Sequence, residues 1–235
     1  MDDSIKSEGQ SAFAFCIKKR KEGSPVKNRV LSLLLILALL LCCAVPAFAA
    51  GGNTVARMYL CHRWSGAPSL GHVWIYIENL SDHTLRVGAY DLPAGQGVSL
   101  GNFGLTRADG NGTYYNVESY CAARFPTSGT RSISTDLNES EMNKVSSAVT
   151  STNLWLPIGS NCADFAVRVW NAGGGAFIMP LVFPVFIKWQ INTHGNRGNV
   201  HMYNPPRDRV YKQSGSGAGA TLRVCSDGTV SKQIG

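Results

Sequence analysis

The 235-residue sequence contains no compact set of metal ligands, because neither a Cys-x-x-Cys nor a His-x-x-x-His pair occurs in it. His194 and His201 are seven positions apart, and His62 lies far upstream, whereas a zinc site needs three or four close ligands. No basic stripe with interleaved aromatic side chains indicates nucleic acid as a partner, and we find no internal repeat. We therefore expect no metal, no cofactor and no nucleic-acid partner.

The longest apolar run, residues 30–45, is shorter than the about 20 residues that a membrane-spanning helix needs. It follows a basic region and precedes an A-x-A-like end at 47–49, which is the order of a secretory signal peptide. We expect residues 1–49 to be cleaved and the protein to be secreted or held in the cell envelope. The alternative is an uncleaved N-terminal segment that associates with the envelope.

Charged residues make up only 16% of the chain. The first 49 residues hold seven basic and four acidic side chains, which leaves 15 basic and 11 acidic ones and a net charge of +4. A mild positive charge suits work near an anionic envelope or membrane surface. The remaining 186 residues are enough for one domain with its own hydrophobic core.

The pattern of the remaining chain changes from strands to helices at about its midpoint. Period-two alternation and turn residues predict strands at 54–61, 113–120 and 130–134, and a hairpin of 71–79 with 84–91 around Ser81 and Asp82. Helical spacing predicts one helix that begins with a capping box at Asp136 and Glu139 and ends at about 151, and a second that is capped by Asn161 or Ser160 and ends before the glycines at 173–175. Residues 176–191 are rich in apolar side chains but contain Pro180 and Pro184, and we expect a buried irregular segment with one short helix in preference to a lipid-contacting surface. We expect a domain over 50–212, and a Gly/Ser-rich linker and tail over 213–235.

Two residues with complementary chemistry dominate the functional interpretation. Cys162 stands at the predicted start of the second helix, and His72 stands at the start of a strand. A helix N-terminus and a neighbouring imidazole both lower the pKa of a thiol, which makes it a nucleophile. A nucleophilic thiol and a base are the two groups that attack on a carbonyl carbon needs, so the sequence predicts a cysteine hydrolase or acyltransferase.

The predicted hairpin supplies candidates for a third catalytic group. Its register places His72 opposite Asp91, whose carboxylate would orient the imidazole, and a slip of one residue would offer Tyr90 instead. The same strand face carries Trp74 and Tyr76, which we expect to face substrate.

Asn161, directly before the nucleophile, can donate to an oxyanion or cap the helix, and capping is the favoured role. The other three cysteines of the secreted chain, Cys61, Cys121 and Cys225, could pair in an oxidising compartment, and the sequence leaves their connectivity open.

Two motifs, Gly71-His72-Val73-Trp74-Ile75-Tyr76 and Asn161-Cys162-Ala163-Asp164-Phe165, resemble those of the circularly permuted papain-like superfamily. This group includes lecithin:retinol acyltransferase-like proteins and permuted relatives of the NlpC-type cell-wall peptidases. In it, the histidine precedes the cysteine, the reverse of ordinary papain-like enzymes. The resemblance extends over about residues 55–190.

The resemblance implies an α+β fold with a papain-like (permuted NlpC-type) antiparallel β-sheet packed against helices. It implies Cys162 as nucleophile, His72 as general base and a polar group on the following strand. His83 lies in a turn, not where the acyltransferase branch places a second histidine, so amide bonds of peptides or peptidoglycan are the favoured substrates. A non-catalytic binding module on the same fold, presenting Trp64, Trp74 and the tyrosines at 114–115, is the competing hypothesis.

Overall fold

A seven-stranded antiparallel sheet forms the centre of the molecule. The computed structural model describes residues 53–63, 71–104, 107–125, 129–181 and 183–231, which all lie in one compact unit, Ala50–Gly235. The strand order is β7-β1-β2-β5-β6-β8-β9. The sheet strands are β1 (Ala56–Arg63), β2 (His72–Asn79), β5 (Gly97–Phe103), β6 (Gly112–Tyr115), β7 (Thr130–Leu137), β8 (Tyr211–Ser214) and β9 (Thr221–Val224). Two short strands, β3 (Leu85–Val87) and β4 (Tyr90–Leu92), pair with each other in a separate sheet.

Helices lie on both faces of the large sheet: three join the main core on one face, and the first and last join a second cluster with Phe103 on the other. The helices are α1 (Val117–Ala122), α2 (Glu139–Thr150), α3 (Cys162–Ala172), α4 (Pro184–Thr193) and α5 (Asp227–Val230). The alternation predicted for β2 is confirmed, because Val73, Ile75 and Ile77 enter the main core with the helices, while Trp74 and Tyr76 lie in a small cluster on the opposite face. The α+β class with an antiparallel sheet and packed helices is therefore as expected.

The two long helices begin with capping boxes. Asn161 caps α3 as predicted, whereas α2 is capped by Asn138 with Glu141 rather than by Asp136 with Glu139. Asp136 is instead the penultimate residue of β7 and pairs with Arg57. Helix α3 ends at Gly173, where a Cβ would approach the Met58 side chain to 2.6 Å. A larger residue at this position would have to displace the end of the Met58 side chain.

The predicted hairpin around Ser81 and Asp82 is wrong. Strand β2 pairs with β1 on one side and β5 on the other, and 85–92 folds on itself. The Asn79 side chain accounts for the departure, since its amide nitrogen donates to the carbonyl oxygens of His83 and Leu92 and its oxygen accepts from Ser81. These bonds turn the chain away from β2 and leave the neighbouring position to β5.

The predicted separation of a linker and tail at 213 is also wrong. Strands β8 and β9 form a hairpin that extends the main sheet beyond β6. Asp109 fixes the end of this region, because its carboxylate accepts from Arg223, Ser226 and Thr229. The stretch of Gly and Ser therefore contains the turn of a hairpin and belongs to the domain.

Two predictions fall on parts of the chain with no structural description. The expected signal peptide, residues 1–49, and Trp64 lie outside the described residues. Within the described ranges, no helix combines the length and apolar character that crossing a bilayer requires.

Candidate active site

Cys162 is the first residue of α3, and the sequence before it fixes the start of that helix. The Asn161 side-chain oxygen accepts from the backbone N–H groups of Ala163 (2.8 Å) and Asp164 (3.1 Å). The Asp164 carboxylate accepts in return from the Asn161 N–H. Asn161 is thus a helix cap, the favoured of its two predicted roles, and its amide nitrogen donates to the Pro157 carbonyl oxygen. The cap holds the thiol at the positive end of the helix.

His72 meets Cys162 where strand β2 begins. It is the first residue of β2, it is 6% exposed, and its ring interacts with the Cys162 thiol closely enough to shift the pKa values of both groups. The ring Nε2 lies 3.0 Å from Glu118 Oε1. Because Nε2 is engaged by the carboxylate, Nδ1 is the ring nitrogen available to the thiol. The structure therefore brings together the two residues that the sequence singled out, ninety positions apart.

The pair favours charge separation. Burial raises the pKa of the Cys162 thiol, but the hydrogen bond to His72, the imidazolium charge and the backbone N–H groups of Val73 and Ala163 outweigh it, so the net shift is downward. Burial lowers the pKa of His72, and its bonds to Cys162 and Glu118 outweigh that effect and raise it. A lowered thiol pKa beside a raised imidazole pKa is the electrostatic condition for a thiolate–imidazolium pair.

Glu118 is the third member of the site, and the sequence did not identify it. It lies in the first turn of α1 and is 2% exposed. Its second oxygen accepts from the Ser99 hydroxyl at 3.0 Å, and that hydroxyl accepts from the Ser119 N–H. An ionisable side chain so fully enclosed must be paired, and His72 is the partner.

The backbone around Glu118 is shaped to admit it. Asn116, which precedes α1, adopts φ 67°, an uncommon conformation for a residue other than glycine, and its N–H donates to the Ser99 carbonyl oxygen. Gly101 on β5 faces the carboxylate so closely that a Cβ there would collide with Glu118 Oε1. The sequence analysis predicted a strand through 113–120, but the chain turns at Asn116 into α1, so Glu118 was not recognised as a site residue. An acidic residue amid the apolar run around Val117 was the available signal.

Aromatic rings fix the plane of the imidazole. The His72 ring stacks on Phe103, with centroids 4.5 Å apart and planes at 22°, and on Trp74 at 5.7 Å and 13°. Trp74 and Tyr76 are 3% and 2% exposed, so neither faces an open substrate cleft and that prediction is wrong. The Tyr76 hydroxyl instead accepts from the Tyr203 N–H and holds the segment that covers this face of the sheet. The sequence predicted the correct face of β2 for both rings. The alternation of β2 alone does not predict that the segment around Tyr203 covers this face.

The predicted orienting residues lie elsewhere. Asp91 is on β4, is exposed, and pairs with Arg86 at 2.7 Å. Tyr90 is buried and packs against the rings of Tyr115 and Tyr211. Both were placed opposite His72 by a hairpin that does not form, so the assignment of Asp91 or Tyr90 as the third group is wrong. Glu118 occupies that role in the geometry.

The remaining histidines and cysteines lie away from this centre. His194 and His201 are exposed, His83 bonds to Asp82 and Glu139, and no group of three or more potential metal ligands occurs among the described residues. Cys61, Cys121 and Cys225 are buried free thiols whose pKa values are raised by burial. Of the four cysteines described, Cys162 alone has a lowered pKa and partial exposure.

Comparison with protein-family models, with curated proteins and with solved structures finds no match.

Proposed function

We propose that the protein is a cysteine hydrolase that cleaves amide bonds through an acyl-enzyme on Cys162. The observation that carries the proposal is the sequence of interactions from Cys162 to His72 to Glu118: the thiol and the imidazole shift each other's pKa, and the imidazole is hydrogen-bonded to the carboxylate. A nucleophile, a base and a group that orients the base, in this order, form the constellation of acyl-transfer enzymes. The order of the first two in the chain agrees with a permuted papain-like fold, which we propose as the finer description of the α+β architecture.

Each residue has a defined step. The Cys162 thiolate attacks the carbonyl carbon and the carbonyl oxygen takes the negative charge, stabilised by N–H donors at the start of α3. The imidazolium of His72 then donates its proton to the leaving amine, and the C–N bond breaks. In the second half, neutral His72 takes a proton from water, whose oxygen attacks the thioester and releases the acid and the thiol. Glu118 stabilises the imidazolium and keeps Nδ1 toward the sulfur.

The proposed substrate is a peptide or peptidoglycan-like amide outside the cytoplasm. The order of basic region, apolar run and A-x-A-like end supports export, and the net charge of +4 beyond residue 49 supports work near an anionic envelope. The competing binding-module hypothesis relied on an exposed aromatic surface. Trp74, Tyr114 and Tyr115 are buried, so these rings cannot form it.

Labelling with a peptidyl acyloxymethyl ketone, followed by mass mapping, tests the proposal. We expect modification at Cys162 in the native protein, and loss of it in Cys162→Ser and His72→Ala variants that retain the native circular dichroism spectrum. Cys61→Ser is the matched control, because its thiol is buried and has a raised pKa. Labelling that spares Cys162, or that survives in His72→Ala, contradicts the proposal.

A further inference from the structure

Five large apolar side chains stand in solvent along one short stretch after α3. Phe177 is 68% and Trp189 65% exposed, and about half of each of the other three is exposed. These residues, which we call the α4 surface, are Phe177, Met179, Phe183, Phe186 and Trp189. Single exposed apolar residues need no explanation, but a contiguous group of aromatic ones marks an interaction site.

Helix α4 has apolar residues on both of its sides. Pro184, Ile187 and Ile191 face inward, and the last two join the main core. Phe186 and Trp189 lie on the outward side, and the Phe183 and Phe186 rings are 6.3 Å apart. A surface helix of a soluble protein normally places polar residues outward, so a helix that is apolar on both sides is expected to be covered.

The charge around the α4 surface has one sign. From Phe165 to Arg207 the sequence contains no aspartate or glutamate, whereas Lys188 and Arg197 lie within or just after α4. Two acidic groups of β7 and α2, Asp136 and Glu141, have partners of their own. Asp136 is bonded to Arg57 at 2.6 Å, and Glu141 accepts the backbone N–H of the residue that caps α2. An apolar face with basic residues nearby in the chain suits an anionic bilayer surface, because burial of apolar area and attraction to anionic lipids both favour binding.

We propose that the α4 surface docks on an anionic phospholipid membrane, with Trp189 and the phenylalanines inserted at the level of the headgroups. Trp is enriched at this interface because its ring is apolar and its N–H is polar. The proposal does not depend on the hydrolase assignment. Bilayer association through this surface would not require the apolar run at 30–45.

Quenching by brominated phospholipid tests the docking at one side chain. The full chain is mixed with vesicles of phosphatidylcholine and phosphatidylglycerol that carry bromine on the acyl chains, and its tryptophan fluorescence is measured. All samples carry Trp64→Phe, and Trp74 and Trp170 are buried, so we expect the quenched component to arise from Trp189 and to vanish when Trp189→Phe is added, which keeps the apolar surface. Trp155→Phe is the matched control and should keep it.

A second pair of variants removes apolar area without removing the reporter. The double variant Phe177→Ser with Phe186→Ser removes two rings, of which roughly half of each would be buried in the bilayer. Docking should therefore weaken about tenfold. Leu80→Ser with Val224→Ser removes exposed apolar side chains outside the α4 surface and should have no effect. Quenching that persists in Trp189→Phe, or that is equal on phosphatidylcholine alone, overturns the proposal. So does a Trp189 environment that changes with protein concentration without vesicles, because a second copy would then cover the surface. Loss of labelling at Cys162 has no bearing on it.

Discussion

Replacement of Glu118 by glutamine removes one charge from the site and keeps its shape. Glu118 Oε1 lies 3.0 Å from His72 Nε2, and both groups are almost fully buried. In Glu118→Gln, the amide oxygen can still accept from Nε2–H, and the amide nitrogen can donate to the Ser99 hydroxyl. The imidazolium, however, loses the carboxylate that stabilises it. We expect the His72 pKa to fall and the pKa of the Cys162 thiol to rise.

The size of the shift follows from the kind of bond that is lost. A hydrogen bond to a charged partner contributes about 1.5–3 kcal/mol, against about 0.5–1.5 for a neutral one, so the imidazolium loses about 1–1.5 kcal/mol. One pKa unit corresponds to about 1.4 kcal/mol. The midpoint of Cys162 alkylation should therefore rise by about one pH unit. Below that midpoint, where the thiolate is the minor form, the alkylation rate should fall about tenfold.

Alkylation by iodoacetamide, followed by mass mapping across a pH series, measures this shift. Asp91→Asn is the matched control, since it also replaces a carboxylate by its amide but lies on β4 and pairs with Arg86. The control should titrate as the native protein does. An unchanged midpoint in folded Glu118→Gln, or a shifted one in Asp91→Asn, would refute the assignment of Glu118 as the group that acts on His72.

Three further outcomes follow from the same geometry. In Gly101→Ala the new Cβ displaces the Glu118 carboxylate, so the rate of acyl-probe labelling should fall at least about tenfold, more than for Glu118→Gln. Gly95→Ala is the control: its Cβ would meet no neighbouring atom, but Gly95 has a positive φ, so this variant should lower only the thermal stability. Asn161→Ala removes the α3 cap and should lower the free energy of unfolding by about 1 kcal/mol in a denaturant titration, and an unchanged midpoint would contradict its capping role. The pKa of the Cys162 thiol is lowered, so turnover should rise with pH as this thiol ionises. The pKa of His72 is raised to about 9, so turnover should decline as the imidazolium loses its proton. A rate that keeps rising above that pH would show that no imidazolium is needed.

The sequence was sufficient for local features with strong physical signals. Asn161 or Ser160 before an apolar helical pattern predicts where α3 begins, and the structure selects Asn161; the glycines after 172 predict where the helix ends. The alternation of His72 through Tyr76 gives the correct two faces of β2. These features depend on residues close to one another in the chain.

The orienting carboxylate could not be predicted, because its position depends on contacts between distant segments. A hairpin between neighbouring strands is the simplest pairing, and it selected Asp91. The amide of Asn79 turns the chain out of that hairpin and admits β5, which carries Ser99 and Gly101 next to Glu118. The same limit applies to Trp74 and Tyr76, whose burial comes from a segment more than 120 residues away. Contacts between segments far apart in the chain decide all three cases.

The pH dependence of alkylation at each native cysteine tests the central claim most directly, namely that Cys162 is held as a reactive thiolate by His72. We expect Cys162 to react with a midpoint well below the free-cysteine value of about 8.5. Cys61, Cys121 and Cys225 are buried with raised pKa values and should react only after unfolding. A Cys162 that is inert in the folded protein, or that titrates at the free-cysteine value, would contradict the account.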